Sequence, residues 1–243
     1  SNSFLLESVE GGKVRGRFSI IGMNPDIIWK FKKKIAQINR RARINTDEFE
    51  TCPEEPLQSL RALVSESRIE LPEGLPPIAS GLFGYMGYDS VRLNEDIPDK
   101  NPDDLMVPDG LFLRPSLICI FDRLEDIVTI VTPIWPDQGV SAESAFEAAM
   151  TRLNDATADF QRSLPYRRER SSDHANINNP ESNTTKDELH DMVHKAKDYI
   201  NAGDIFQVVP SQRFSVPFNL PPMSLYRSLR RLNPSPYLFF FDF

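Results

Sequence analysis

LFLRPSLICIFDR (111–123) and DIVTIVTPIW (126–135) stand close together in the middle of the chain and indicate its fold. Apolar, β-branched and aromatic residues dominate both stretches, and the acidic residues between them are typical of a tight turn. We therefore predict two consecutive antiparallel strands. Shorter apolar runs bounded by Gly, Asn and Pro predict three earlier strands: FLLES (4–8), RFSIIG (17–22) and DIIWKF (26–31).

Helical periodicity alternates with these strands. Apolar residues that share one face predict a helix over 57–68, and a second apolar stripe predicts another over 141–165. Thr185 and Glu188 form a capping-box pattern, which predicts a third helix from 185 to 203. A shorter helix is predicted over 224–232, before Asn233-Pro234.

Two apolar runs near the end of the chain predict further strands, over 204–218 and over 236–243. We predict that the second run, PYLFFFDF, is buried on both faces. Because it stays apolar to the last residue, we also expect the chain to be a piece of a larger protein. The predicted fold class is α+β, with antiparallel sheets in a layered core and flanking helices.

A polar stretch without periodicity separates two parts of the chain. YRRERSSDHANINNPESN (166–183) has the composition of a linker. We therefore predict an N-terminal region over 1–165, a linker over 166–184, and the start of a second domain over 185–243.

Composition excludes several classes of protein. The chain has 243 residues and a formal net charge of −7, which argues against a general nucleic-acid binder. No apolar run approaches the roughly 20 residues that a membrane span needs. Cys52 and Cys119 stand far apart and outside any CxxC pattern, so we expect neither a disulfide framework nor a zinc site, and we expect a cytoplasmic location.

Two motifs with possible chemistry also have plainer explanations. His190 and His194 are spaced like the ligands of an HExxH zinc site, but Asp191 replaces its glutamate, and surface histidines are favoured. The glycines of SGLFGYMGYDSVR (80–92) match no phosphate-binding pattern and favour close backbone packing in a core.

Two distant segments have the character of a ligand site. In Leu5-Leu6-Glu7-Ser8 a carboxylate and a hydroxyl stand at the end of a strand, where they suit an ammonium group. The Pro-Tyr corner of Asn233–Tyr237 offers backbone carbonyls and an apolar wall. From spacing alone, a purely structural role for both segments is still favoured.

Together these motifs resemble the large subunit of anthranilate synthase, a member of the chorismate-using superfamily. One of them, AGDIFQVVPSQRF, is typical of the whole superfamily, whereas LLES together with NPSPY favours the anthranilate branch. The matching stretches, in family order, are LLES (5–8), RFSIIG (17–22), GLFGYMGYDSVR (81–92), AGDIFQVVPSQRF (202–214) and NPSPYLFFFDF (233–243).

The resemblance implies an activity and its partners. Members of the family are lyases that convert chorismate and ammonia to anthranilate and pyruvate in tryptophan biosynthesis. They require Mg²⁺ and receive ammonia from a glutamine amidotransferase subunit. The family's metal-binding and catalytic residues come after the position of Phe243, so we assign no catalytic or metal residue here and expect this chain alone to be inactive.

The resemblance also implies a feedback site for L-tryptophan. The positions that match it are Glu7, Ser8, Pro236, Tyr237 and Leu238. Two alternatives remain open: aminodeoxychorismate synthase component I of the folate pathway, and a non-catalytic module that binds an amino acid for regulation.

Overall fold

The computed structural model describes residues 2–8, 16–136, 139–163 and 180–243. Ten strands occur among them: β1 (Ser3–Glu7), β2 (Phe18–Lys32), β3 (Ile35–Asn39), β4 (Glu50–Thr51), β5 (Phe83–Met86), β6 (Gly110–Asp122), β7 (Ile127–Val131), β8 (Glu181–Ser182), β9 (Phe214–Ser215) and β10 (Leu238–Asp242). The α-helices of this part are α1 (Pro56–Glu66), α2 (Ala142–Gln161), α3 (Lys186–Ala202) and α4 (Pro222–Leu232). The chain divides into two compact units, Ser1–Ser163 with Ser228–Phe243, and Leu164–Arg227.

The long strands β2 and β6 form the centre of an eight-stranded antiparallel sheet. They pair from Phe18 opposite Asp122 to Phe31 opposite Gly110. The other edge of β2 pairs with β1 and β3, and the other edge of β6 pairs with β5 and β7. Strands β10 and β4 extend the sheet beyond β1 and β3. The predicted α+β class, with antiparallel strands and helices, is confirmed.

An irregularity in the middle of β2 explains one wrong prediction. The runs 17–22 and 26–31 are not separate strands but one strand of 15 residues. Asn24 adopts a φ of 53°, and a bulge follows between Pro25 and Ile27. Pro25 lies opposite Pro115, so the two residues that lack a backbone donor face each other. The bulge accommodates this irregularity, so β2 and β6 stay paired on both sides of it.

The core contains large aromatic residues on both halves of the sheet. Trp29 is fully buried, and its indole N–H donates to Ser59 Oγ of α1 at 3.0 Å. Phe4 stacks on Phe83, with ring centroids 4.5 Å apart. A side chain at Gly84 would place its Cβ 1.9 Å from the carbonyl oxygen of Leu111. A Cβ at Gly87 would lie 3.0 Å from the carbonyl oxygen of Asp109, whereas a Cβ at Gly81 would have no atom within 4 Å. The close backbone packing predicted for this glycine motif is therefore confirmed at Gly84 and Gly87 and is wrong at Gly81.

The predicted helices are present, with small differences at their ends. The α1 and α2 helices occupy the stretches predicted from apolar periodicity, and α4 occupies the stretch predicted before Asn233-Pro234. In α3, Thr185 and Glu188 make both hydrogen bonds of the capping box, and Gly203 ends the helix with a φ of 81°. These signals are local, which is why the sequence predicts them well.

Two strand predictions near the end of the chain need correction. Only Phe214–Ser215 is a strand within 204–218, because Pro210 and Pro217 interrupt that stretch and lack a backbone donor. The 236–243 strand exists as β10, but it is not buried on both faces, since Phe239 is 64% exposed. In the described part of the chain β10 is an edge strand that pairs with β1.

The domain boundaries predicted around 166–184 stay a prediction, because residues 166–179 lie outside the described part of the chain. His190 and His194 are exposed on α3, as expected for surface histidines. Cys52 and Cys119 are free thiols. Of the described helices, none combines the length and apolarity needed to cross a membrane.

A buried arginine joins the bulge of β2 to α1. Arg114 is 6% exposed, and its Nε and Nη2 donate to the two carboxylate oxygens of Asp26 at 2.9 and 2.7 Å. Its Nη1 donates to Ser67 Oγ, just after α1, at 3.3 Å. The guanidinium lies 4.1 Å from the ring centroid of Trp135. One charge thus connects three parts of the first unit.

Asp26→Ala should lower the free energy of unfolding by about 3 kcal/mol, because it removes the carboxylate that accepts two hydrogen bonds from the buried guanidinium. Urea denaturation followed by circular dichroism measures this loss. Asp99→Ala is the matched control, since it removes the carboxylate of an exposed pair with Lys33 at 3.1 Å. The control should cost about 0–1 kcal/mol. Equal, small losses in both variants would contradict the role given to Asp26.

Candidate functional site

The sheet brings the two predicted ligand segments together at one end. Glu7 is the last residue of β1, and it lies opposite Leu238 of β10 on one side and Ser19 of β2 on the other. Opposed residues of antiparallel strands project from the same face of the sheet. Glu7 and Leu238, which are far apart in sequence, are therefore direct cross-strand neighbours.

The other predicted residues stand next to this pair. Ser8 follows Glu7 and is half-buried, as is Pro236, whereas Tyr237 is 81% exposed. The Tyr237 N–H donates to Ser235 Oγ at 3.3 Å, and the Ser235 hydroxyl donates to the Tyr237 carbonyl oxygen at 3.3 Å. These two bonds hold the turn that leads into β10. The binding role of the five residues stays a prediction.

Glu7 is a nearly buried carboxylate between two guanidinium groups. Its side chain is 12% exposed, and Arg230 Nε of α4 donates to its Oε2 at 2.9 Å. On the other side, Arg123 Nη2 lies 3.9 Å from Oε1. A carboxylate removed from water needs such cationic partners to offset its lost hydration. The site therefore combines one negative and two positive groups beside an exposed tyrosine ring.

Arg17, next to the start of β2, forms an ion pair with Asp122, the last residue of β6. Its Nε donates to both carboxylate oxygens of Asp122 at 2.9 and 2.8 Å, and its Nη2 lies 2.5 Å from Oδ2. The backbone N–H of Leu124 also donates to Asp122, at 3.0 Å. The Arg17 hydrogen bonds are the main cause that lowers the pKa of Asp122 to about 2. Asp122 thereby fixes the turn that carries Arg123.

Sequence reasoning missed the two arginines that contact Glu7. Arg230 lies in the last turn of α4, three residues before Asn233, so its position beside the NPSPY segment was a usable signal. Arg123 directly follows β6, and only the sheet order shows that this strand end lies near β1. A carboxylate at the end of an apolar strand also implies a cationic partner.

A pocket elsewhere in the first unit has charges that neutralise one another. It has a volume of about 580 Å³ and lies beside the hairpin between β2 and β3. Lys32 Nζ lies 2.5 Å from Asp103 and 3.1 Å from Asp109, and Lys33 Nζ lies 3.1 Å from Asp99. This pocket contains none of the residues that the resemblance associates with an amino-acid ligand, so it is a weaker candidate than the Glu7 end of the sheet.

The described residues do not offer a metal site. Within 2–8, 16–136, 139–163 and 180–243, no group of three or more His, Cys, Asp or Glu side chains is placed to hold a metal ion. Magnesium therefore stays an expectation that depends on the resemblance alone.

The Arg17–Asp122 pair should make stability depend on acid pH. The folded state lowers the pKa of Asp122 from 3.8 to about 2, so its contribution is present above pH 4 and is lost as the pH falls towards 2. Urea denaturation between pH 5 and 2 should show a larger loss of stability in the wild type than in Asp122→Asn, because the lowered pKa values of Glu66, Asp103 and Glu188 contribute in both. Asp126→Asn, in the same turn, serves as the control and should keep the wild-type profile. A loss of equal size in Asp122→Asn would contradict this assignment.

Comparison with known proteins supports the resemblance seen in the motifs. The family described as chorismate binding enzyme matches residues 3–243. Anthranilate synthase component 1 of Cereibacter sphaeroides is 49% identical over 243 residues, which are 100% of this chain and 48% of that protein. The Aquifex aeolicus protein of the same name is 36% identical over 248 residues, with 99% and 48% covered.

A solved structure shows the same architecture. The crystal structure of anthranilate synthase component I from Streptococcus pneumoniae matches with a TM-score of 0.74 and 26% identity, over 97% of this chain and 50% of that one. The chain thus spans about half the length of the curated relatives it matches. Because the family match extends over residues 3–243, this chain belongs to the chorismate binding enzyme family.

Proposed function

We propose that this chain is part of an anthranilate synthase large subunit, a lyase that acts in tryptophan biosynthesis. The complete enzyme converts chorismate and ammonia to anthranilate and pyruvate, and a glutamine amidotransferase subunit supplies the ammonia. The proposal includes a requirement for Mg²⁺ and a cytoplasmic location. The proposal is supported by the family match and by relatives of this name, whose similarity extends over 99–100% of this chain. The aminodeoxychorismate alternative is not favoured, because these relatives carry the anthranilate synthase name.

Within that enzyme, the proposed role of this chain is feedback regulation by L-tryptophan. The observation that carries the proposal is the pairing of β1 with β10, which places Glu7 opposite Leu238. The two segments that the resemblance associates with tryptophan therefore meet at one strand end. The catalytic residues are proposed to lie in the part of the enzyme that this chain does not span, so the chain alone should not turn over chorismate.

The chemistry of this end of the sheet suits a zwitterionic amino acid. Such a ligand carries an ammonium group, a carboxylate and, in tryptophan, a large apolar ring. Glu7 supplies a negative charge for the ammonium, and Arg123, whose side chain is 44% exposed, supplies a positive charge near it. Pro236, Tyr237 and Leu238 supply apolar surface, which suits an indole ring. Ser8, directly after Glu7, adds a hydroxyl that can donate to or accept from the ligand.

Ser8→Phe in the complete enzyme should raise the tryptophan concentration for half-inhibition by about tenfold or more, because losing a hydrogen bond and gaining a bulky ring each cost binding energy. Anthranilate fluorescence measures turnover, and kcat should stay within about twofold of the wild type, since no catalytic residue is assigned here.

Ser65→Phe is the matched control for this experiment, because Ser65 is exposed on α1, away from the Glu7 end of the sheet. It should leave inhibition unchanged. If Ser8→Phe also leaves inhibition unchanged, the assignment of Glu7 and Ser8 to the feedback site is wrong. If tryptophan does not inhibit the wild-type enzyme, the proposed regulation is wrong.

A further inference from the structure

Arg230 already occupies the carboxylate that the proposed ligand would need. Its Nε donates to Glu7 Oε2 at 2.9 Å, and the two side chains are 34% and 12% exposed. A hydrogen bond between ionised groups at this distance is of the strong, charge-assisted kind. The geometry places a cationic N–H donor of the protein where the ammonium group of an amino acid would donate to the same oxygen.

We propose that Arg230 is an internal competitor for the ammonium subsite at Glu7, and that a ligand binds by displacing it. This inference rests on the proposed feedback function of the site. The exchange conserves charge, because the ammonium replaces the guanidinium at Glu7 while the ligand's carboxylate becomes available to the released arginine. Arg123, 3.9 Å from the other oxygen of Glu7, keeps a positive charge beside the carboxylate in both states.

The position of Arg230 connects this exchange to the rest of the site. It lies in the last turn of α4, where the Asn233 N–H donates to the Leu229 carbonyl oxygen at 2.8 Å. Residues 233–238 then continue directly into β10 and the proposed apolar wall. Release of Arg230 thus removes a contact of the helix end that leads into the Pro-Tyr corner. A ligand changes an equilibrium only through the difference in its affinity for two states. Here the two states differ in whether Arg230 is bonded to Glu7.

The competition predicts that removing Arg230 strengthens binding. If the arginine holds Glu7 for about nine-tenths of the time, its removal tightens the apparent affinity by about tenfold. Calorimetric titration of the 243-residue chain with L-tryptophan measures this for the wild type and for Arg230→Gln. Arg230→Lys keeps a cation at this position and should stay closer to the wild type. Arg231→Gln removes an equal charge from the neighbouring exposed residue and should change affinity by less than about twofold.

A second ligand separates competition from a general structural effect. Indole-3-propionate has the ring and the carboxylate of tryptophan but no ammonium, so it does not compete with Arg230. It should bind Arg230→Gln no more tightly than the wild type. Circular dichroism of each variant verifies that it is folded.

Each outcome decides between the two proposals. Tighter tryptophan binding by Arg230→Gln, including binding that only this variant shows, supports the competition. Unchanged or weaker binding by a folded Arg230→Gln, with normal binding by the wild type, overturns the competition and leaves the feedback site intact. Binding by neither protein overturns the competition in this chain, and the inhibition assay on the complete enzyme then tests the feedback function separately.

Discussion

The antiparallel pairing of β2 with β6 is the constraint on which the rest of the first unit depends. These strands have 15 and 13 residues, and each carries two shorter strands on its outer edge. The outer partners change where Pro25 lies opposite Pro115, a place where neither residue can donate to a ladder. Asp26 and Arg114 form their ion pair beside this break. The local cost of two facing prolines is thus accompanied by a partly buried charge pair that stabilises the register.

Register is also what creates the candidate site. Glu7 faces Ser19 on β2 and Leu238 on β10, so one row of side chains crosses neighbouring strands at the end of the sheet. A slip of one residue would turn Glu7 to the opposite face, away from Arg230. The nearly buried Glu7 carboxylate in turn needs its arginines to offset the loss of its contacts with water. Strand pairing and electrostatics therefore specify the same arrangement.

The sequence predicts the local features of this fold well and its long-range pairings poorly. The β6–β7 hairpin follows from two apolar runs with an acidic turn between them, and the capping box at Thr185 follows from short-range hydrogen bonds. The continuity of β2 was missed because Asn24 and Pro25 have the composition of a turn. The family resemblance identified the two site segments. The spacing of residues could not show that these segments meet or that Arg230 contacts Glu7, because both contacts depend on the order of strands in the sheet.

The central claim is that the ends of β1 and β10 form one amino-acid site. Its most direct test is a titration of the isotope-labelled chain with L-tryptophan, followed through the backbone amide signals in NMR spectra. We expect saturable shifts with a single dissociation constant at Glu7, Ser8, Tyr237 and Leu238, and none at the distant Lys32–Asp103 pocket. Shifts confined to that pocket, or to one of the two segments without the other, would contradict it.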